Sequence, residues 1–197
     1  MRVDLIGFIE TRNILSYIGE IADVRTDRSI SNEALAIQCA KHHRWDVFKH
    51  VTATWRVEDI SLAVGRQLGQ YCLVTQKAQR YPQFDTQTQW FVTPKTCPNP
   101  ARFGGMMHTL MVMYDELIYM GMSPEDACYI LPNATIADLT ITMNLQEIFH
   151  FYKEYGFNEY AQWEIRELAI MLKKSLTNKY PELEIIFDIV TKGCYDE

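Results

Sequence analysis

The chain has 197 residues, and 19 Lys plus Arg against 25 Asp plus Glu leave a formal net charge of −6. That length suits one domain with a substantial core, and 48% hydrophobic with 22% charged residues excludes a disordered, collagenous or coiled-coil chain. An acidic chain without a Lys/Arg-rich block is a poor binder of nucleic-acid backbone, whereas one phosphorylated metabolite needs only a few placed cations.

Residues 2–10 (RVDLIGFIE) predict a short strand, and 13–24 a helix. Val51 to Val57 (VTATWRV) is β-branched and aromatic, the composition that fits a pleated surface. Asp59 or Ser61 is expected to cap a helix running to about Leu73. Residues 81–105 hold four prolines and the Gly104-Gly105 pair, so a long loop or ragged strand with a glycine turn is expected there rather than helix.

The second half reads as helical. Met107, Leu110, Met111, Tyr114, Leu117 and Ile118 recur at i, i+3, i+4, i+7, and Gly121 stops that helix. Ser123-Pro124-Glu125-Asp126 starts the next, with a hydroxyl cap, Pro at the first position and acids against the dipole. Leu145, Ile148, Phe149, Tyr152 and Tyr155 repeat the stripe, closed by Gly156. Asn158 is expected to cap a long helix carrying Ile165, Leu168, Ala169 and Leu172, which Pro181 ends or kinks. The sum is α+β: a single mixed domain over 1–197, with a mostly antiparallel sheet packed by helices.

Met1-Arg2-Val3-Asp4 puts an acid where a signal peptide would turn apolar, and no apolar run reaches about 18 residues. A cytoplasmic protein that spans no membrane is expected. Five scattered cysteines (Cys39, Cys72, Cys97, Cys128, Cys194) never form Cys-x-x-Cys and read as reduced thiols. Cys39 with His42 and His43 lacks a second ligand pair, so no metal site is expected. His108 and His150 read as satisfied, partly buried helix residues, and the methionines between Met106 and Met122 as core filler, with the lining of a flat aromatic cofactor as the alternative. There is no Walker loop, Rossmann glycine fingerprint or Gly-x-Ser-x-Gly elbow.

Two stretches place polar groups in apolar helices. Arg66 and Gln70 are four apart, with Gln67 one step round, and Gln162 and Arg166 are also four apart. Amides supply paired donor and acceptor and Arg supplies a fork, which suits a ring bearing carbonyls together with a phosphate. An intramolecular ion pair of Arg166 is the structural alternative.

Together these stretches resemble the flavin-dependent thymidylate synthases. Leu131-Pro132, Thr142, Asn144, Phe151 and Ala161-Gln162-Trp163-Glu164-Ile165-Arg166 follow that family's order at nearly its spacing. Lys49-His50-Val51-Thr52-Ala53-Thr54-Trp55 is similar to its Glu-His followed by Phe-Thr-Phe, Arg66-Gln67 to its Arg-Gln, and Ala78-Gln79-Arg80-Tyr81 to its Ser-x-Arg-Tyr. The likeness spans about residues 40–190. It departs from the signature RHRxxSxNExSxRY at Gln70, Tyr71 and Cys72, which stand where two arginines and a histidine are expected, and a two-residue shortening removes the Asn-Glu pair. Two further family arginines fall at about Asp138 and near Tyr155.

The resemblance implies a homotetramer with shared active sites, in which FAD reduced by NADPH relays a methylene from methylene-tetrahydrofolate to carbon 5 of dUMP or a related pyrimidine monophosphate. It implies that Gln67, Ala78, Gln79, Arg80 and Arg166 contact the nucleotide, Arg166 near the uracil carbonyls and Arg80 near phosphate or sugar. His50, Thr54, Gln70, Tyr71, Cys72 and Asn158 fall to the flavin, and no cysteine nucleophile is needed. The missing cations leave open a retuned hydroxymethylase, or a non-catalytic nucleotide-binding or partner homologue with weakened or lost FAD binding.

Overall fold

The computed structural model describes residues 1–22, 30–76 and 90–192. The described chain runs β1 (Arg2–Phe8), α1 (Ile14–Ala22), α2 (Asn32–Lys41), β2 (Thr52–Ser61), α3 (Leu62–Leu68), β3 (Leu73–Gln76), α4 (Pro100–Tyr119), α5 (Pro124–Ala127), β4 (Ile136–Asn144), α6 (Leu145–Phe151), α7 (Trp163–Lys179) and α8 (Glu184–Lys192). The four strands form one antiparallel sheet in the order β1-β2-β4-β3. The α+β expectation is met.

The chain divides into two compact units: Met1–Arg2, Val57–Gln70 and Val74–Thr140 form the first, and Val3–Arg56, Tyr71–Leu73 and Ile141–Glu197 the second. In the second, Ala53 and Trp55 of β2 and Ile141 and Met143 of β4 are buried, while Thr54 and Thr142 between them are only half-buried. This is the period-two alternation of a sheet with one face on a core. The Trp55 indole N–H donates to Ser175 Oγ of α7 at 2.8 Å, which fixes that helix against β2 while satisfying the buried ring. Phe48, Phe149 and Phe187 complete an aromatic core through edge-to-face contacts, with ring centroids 5.6 Å apart for Phe48–Phe149 and 4.8 Å for Phe149–Phe187.

In the first unit, Ser61 caps α3 by accepting from the Val64 N–H. Met111, Tyr114, Ala127 and Leu131 form a small core shared by α4, α5 and the segment after it. Of the predicted α4 stripe, Met107, Met111 and Tyr114 are buried, Leu110 and Leu117 are half-buried and Ile118 is exposed. Met106, Met113, Met120 and Met122, expected as core filler, are exposed.

Several boundaries differ from the sequence reading. Helix α3 stops at Leu68, so Gln70 lies in a turn and Leu73 begins a strand. Residues 100–105 are helical, because Asn99 caps α4 through the Arg102 N–H and Pro100 occupies a first-turn position that needs no N–H. Gly104-Gly105 is therefore within a helix and not a turn. Strand β4 interrupts the half read as helical. Gln162, not Asn158, caps α7, its side chain accepting from the N–H groups of Glu164 at 2.9 Å and Ile165 at 3.0 Å. The stripe closed by Gly156 ends in a π-helical turn, Tyr152–Gly156, where a Cβ on Gly156 would sit 2.5 Å from the Tyr152 ring.

Candidate functional site

The second unit holds His50, Thr54, Tyr71, Cys72, Asn158 and Arg166, and the first unit holds Gln67 and Gln70. Ala78, Gln79 and Arg80 lie outside the described residues.

At the start of α7 the backbone places Arg166 one turn after the Gln162 cap, and its N–H donates to the Gln162 carbonyl at 3.1 Å. The Arg166 side chain is half-buried, yet no hydrogen bond or ion pair joins its guanidinium to any described residue. The intramolecular ion pair weighed from the sequence is not formed among them. Gln162 spends its carbonyl oxygen on the helix cap, which leaves its amide N–H₂ available to an incoming acceptor. Glu164, between them, is 2% exposed. Asn158 sits in the preceding loop, where its side chain accepts from the Tyr160 N–H at 2.9 Å, an Asx turn that shapes the approach to α7.

The turn after α3 is built differently. The Tyr71 hydroxyl donates to Glu154 Oε1 at 3.0 Å and accepts from the Tyr155 hydroxyl at 2.5 Å. Its ring meets Phe151 at 5.9 Å and Tyr155 at 5.5 Å, both edge to face. Burial, the Tyr71 hydrogen bond and the nearby Glu154 charge push the Tyr155 phenol well above its ordinary range, so it stays protonated. Beside it, burial and then the Glu147 charge push the Cys72 thiol up to about 12. A thiol held protonated near neutral pH is a poor nucleophile.

Thr54 and Thr142 share a hydrogen bond at 2.9 Å on the half-buried face of β2 and β4, and His50 is exposed at the end of the 3-10 turn Trp45–His50. Gln67 is exposed on α3, and its neighbour Arg66 donates to Asn133 Oδ1 at 2.8 Å. Asp138, where a family arginine is expected, accepts weakly from the Asp59 N–H at 3.5 Å.

One group escaped the sequence reading. Gln146 Oε1, at the start of α6, is buried with no hydrogen-bond partner. A buried acceptor without a donor is costly, and a bound N–H would relieve it. The signal in the sequence is an amide two residues after Asn144, in a helix whose buried positions are Leu145, Ile148, Phe149 and Phe151. Among the described residues no group of three or more His, Cys, Asp or Glu could hold a metal ion.

A flavin presents a flat π-face, ring carbonyls and an imide N–H. The Tyr71–Phe151–Tyr155 rings offer π surface, and the Glu154 carboxylate on Tyr71 offers nothing to a pyrophosphate.

Comparison with known proteins now bears on this arrangement. Residues 10–182 match the thymidylate synthase complementing protein family. Proteins named flavin-dependent thymidylate synthase from Pyrococcus furiosus (29% identical over 84% of this chain and 72% of its own length) and Geobacter sulfurreducens (31%, 75% and 65%) are similar to it. The protein of that name from Pyrococcus abyssi is 30% identical over 68% of this chain. The match there spans 57% of the relative's own length, so this chain corresponds to little more than half of that protein.

Proposed function

The chain belongs to the thymidylate synthase complementing protein family, and we propose that it is a flavin-dependent enzyme that methylates carbon 5 of a pyrimidine nucleoside monophosphate, dUMP first among the candidates. The observation that carries this reading is Arg166, a half-buried cation whose guanidinium no described residue engages. A cation withdrawn in part from water gains from a partner, and a nucleotide's carbonyls or phosphate would supply it.

On this reading Arg166 forks onto the uracil carbonyls, where it stabilises negative charge as carbon 5 becomes nucleophilic. The free amide of Gln162 lies one turn away to orient the ring. Gln67, Ala78, Gln79 and Arg80 complete the nucleotide contacts, Arg80 toward phosphate or sugar. His50, Thr54, Gln70, Tyr71, Cys72 and Asn158 attend the flavin. FAD, when bound and reduced by NADPH, supplies the reducing equivalents for a carbon delivered by methylene-tetrahydrofolate. Cys72 remains a neutral thiol throughout. The names of the relatives favour this reading over a hydroxymethylated product or a non-catalytic partner role.

We further propose a homotetramer with shared sites. The exposed face of α4 and the residues after it carry Met106, Val112, Met113, Tyr119 and Met120 at 44–93% exposure, more apolar surface than a monomer keeps bare without use. Cys39, Cys72, Cys97 and Cys128 form no disulfide among the described residues, which suits a reducing cytosol. No helix among the described residues is long and apolar enough to cross a membrane.

Isothermal titration with dUMP, UMP, dCMP and CMP tests the substrate class. Binding of the uracil nucleotides in preference to the cytosine ones is expected, and no heat from any of the four sinks the nucleotide reading.

A further inference from the structure

Helix α4 turns one face inward and leaves the opposite face bare. Met107, Met111 and Tyr114 are buried, while Met106, Val112, Met113, Tyr119 and Met120 are 44–93% exposed. The charges on the bare face are ordered along it. Arg102 stands seven residues before Thr109 and Glu116 seven residues after it, and all three are exposed. Seven residues are close to two turns and about 10.5 Å of rise, so the three lie nearly in line. Neither Arg102 nor Glu116 makes an ion pair with a described residue.

A two-fold axis through Thr109 sets Arg102 of one copy against Glu116 of the other, and the reverse at the far end. The same axis sets Met106 against Val112 and Gly105 against Met113. Gly105 is exposed in the helix interior, and a Cβ there would meet nothing within 4 Å. Glycine weakens a helix relative to alanine, and no described residue of its own chain requires it. Opposite Met113 it leaves room for the longer side chain and lets two helices approach closely. A hollow of about 410 Å³ lies against Val112, Asp115, Glu116, Tyr119 and Met120. Apolar walls with two carboxylates suit the stem and guanidinium of an arginine, and the axis brings Arg102 of the second copy to that place.

Resting on the self-association proposed above, we infer that α4 forms one of its two-fold contacts: it packs antiparallel on α4 of a second copy, centred on Thr109, with reciprocal Arg102–Glu116 ion pairs fixing the register. Covering the apolar face supplies the affinity. The charges supply the direction, because a parallel pairing would set Arg102 against Arg102 and Glu116 against Glu116.

The test is sedimentation equilibrium of the full chain, at a concentration where the parent is assembled, with far-UV circular dichroism to check folding. The variants are Arg102→Glu, Glu116→Arg, the double swap Arg102→Glu with Glu116→Arg, and Gly105→Leu. Each single reversal should weaken this contact by about tenfold or more, since it sets like charges together at both ends, and halve the assembled mass. The double swap should restore the parent mass. Gly105→Leu should lose assembly with helicity no lower than the parent's. An assembled parent whose mass neither single reversal changes overturns the inference and leaves the tetramer standing. Dissociation by the single reversals without rescue by the double swap also overturns it. A parent dimer that the reversals split and the swap restores supports the α4 contact and overturns the tetramer. A monomeric parent overturns both.

Discussion

The start of α7 and the turn at Tyr71 both belong to the second unit, and they treat their polar groups in opposite ways. At α7 the family-like run Ala161–Arg166 is intact, and its cation is half-buried without a partner among the described residues. At Tyr71 the expected cations are absent, and the residues in their place satisfy one another: Tyr155 donates to Tyr71, and Tyr71 to Glu154. A half-buried cation that no described residue engages suits a ligand, because a partner offsets its partial desolvation. A closed hydrogen-bond cluster supplies its own partners.

The largest expected effect strikes the scaffold behind α7. Trp55→Ala empties the core under β2 and removes the donor to Ser175 Oγ, which still donates to the Leu172 carbonyl at 2.7 Å, and should cost about 3–5 kcal/mol in urea unfolding. A loss below 1 kcal/mol would mean that α7 is held in some other way. Arg166→Ala sharpens the comparison most. Loss of hydrogen bonds from a charged donor should weaken dUMP by about 1.5–3 kcal/mol, with the urea midpoint nearly unchanged. A stability loss with nucleotide affinity retained would make Arg166 a structural residue.

Smaller effects follow from the caps and the histidine. Gln162→Ala removes the α7 cap and should cost about 1 kcal/mol by chemical denaturation, while Gln162→Asn should recover part of that. Burial, and then Lys153, lower the His150 pKa in the folded chain. The unfolded chain therefore takes up the proton more readily. Stability is full above the ordinary histidine value of about 6.5 and declines as pH falls from there through the folded pKa. Urea midpoints between pH 7.5 and 5.5 should fall for the parent and fall less for His150→Phe, and parallel curves would acquit His150.

What could be read from the sequence was local. The β-branched run in β2, the Ser61 and Ser123 caps, the α4 stripe and the Ala161–Arg166 run each declare themselves within a few residues. Strand β4 also left a signal, since Ala137, Leu139, Ile141 and Met143 alternate with Asp138, Thr140 and Thr142. That alternation sits between two helical stripes and was absorbed into them. Asn158 looked like the cap because asparagine is the better capping residue, but its side chain closes its own turn, and the role passes to a glutamine. Pro100 was read as a breaker although the first turn of a helix tolerates it. The partnership of Tyr71 with Glu154 and Tyr155 joins residues 83 and 84 positions apart, and no spacing rule reaches that far.

The proposed activity is tested most directly by incubating the chain with dUMP, FAD, NADPH and methylene-tetrahydrofolate and analysing the nucleotide by mass spectrometry. The account predicts a nucleotide carrying one methyl group on carbon 5, formed by the parent and lost in Arg166→Ala. Unchanged dUMP with the flavin bound and reduced would contradict it.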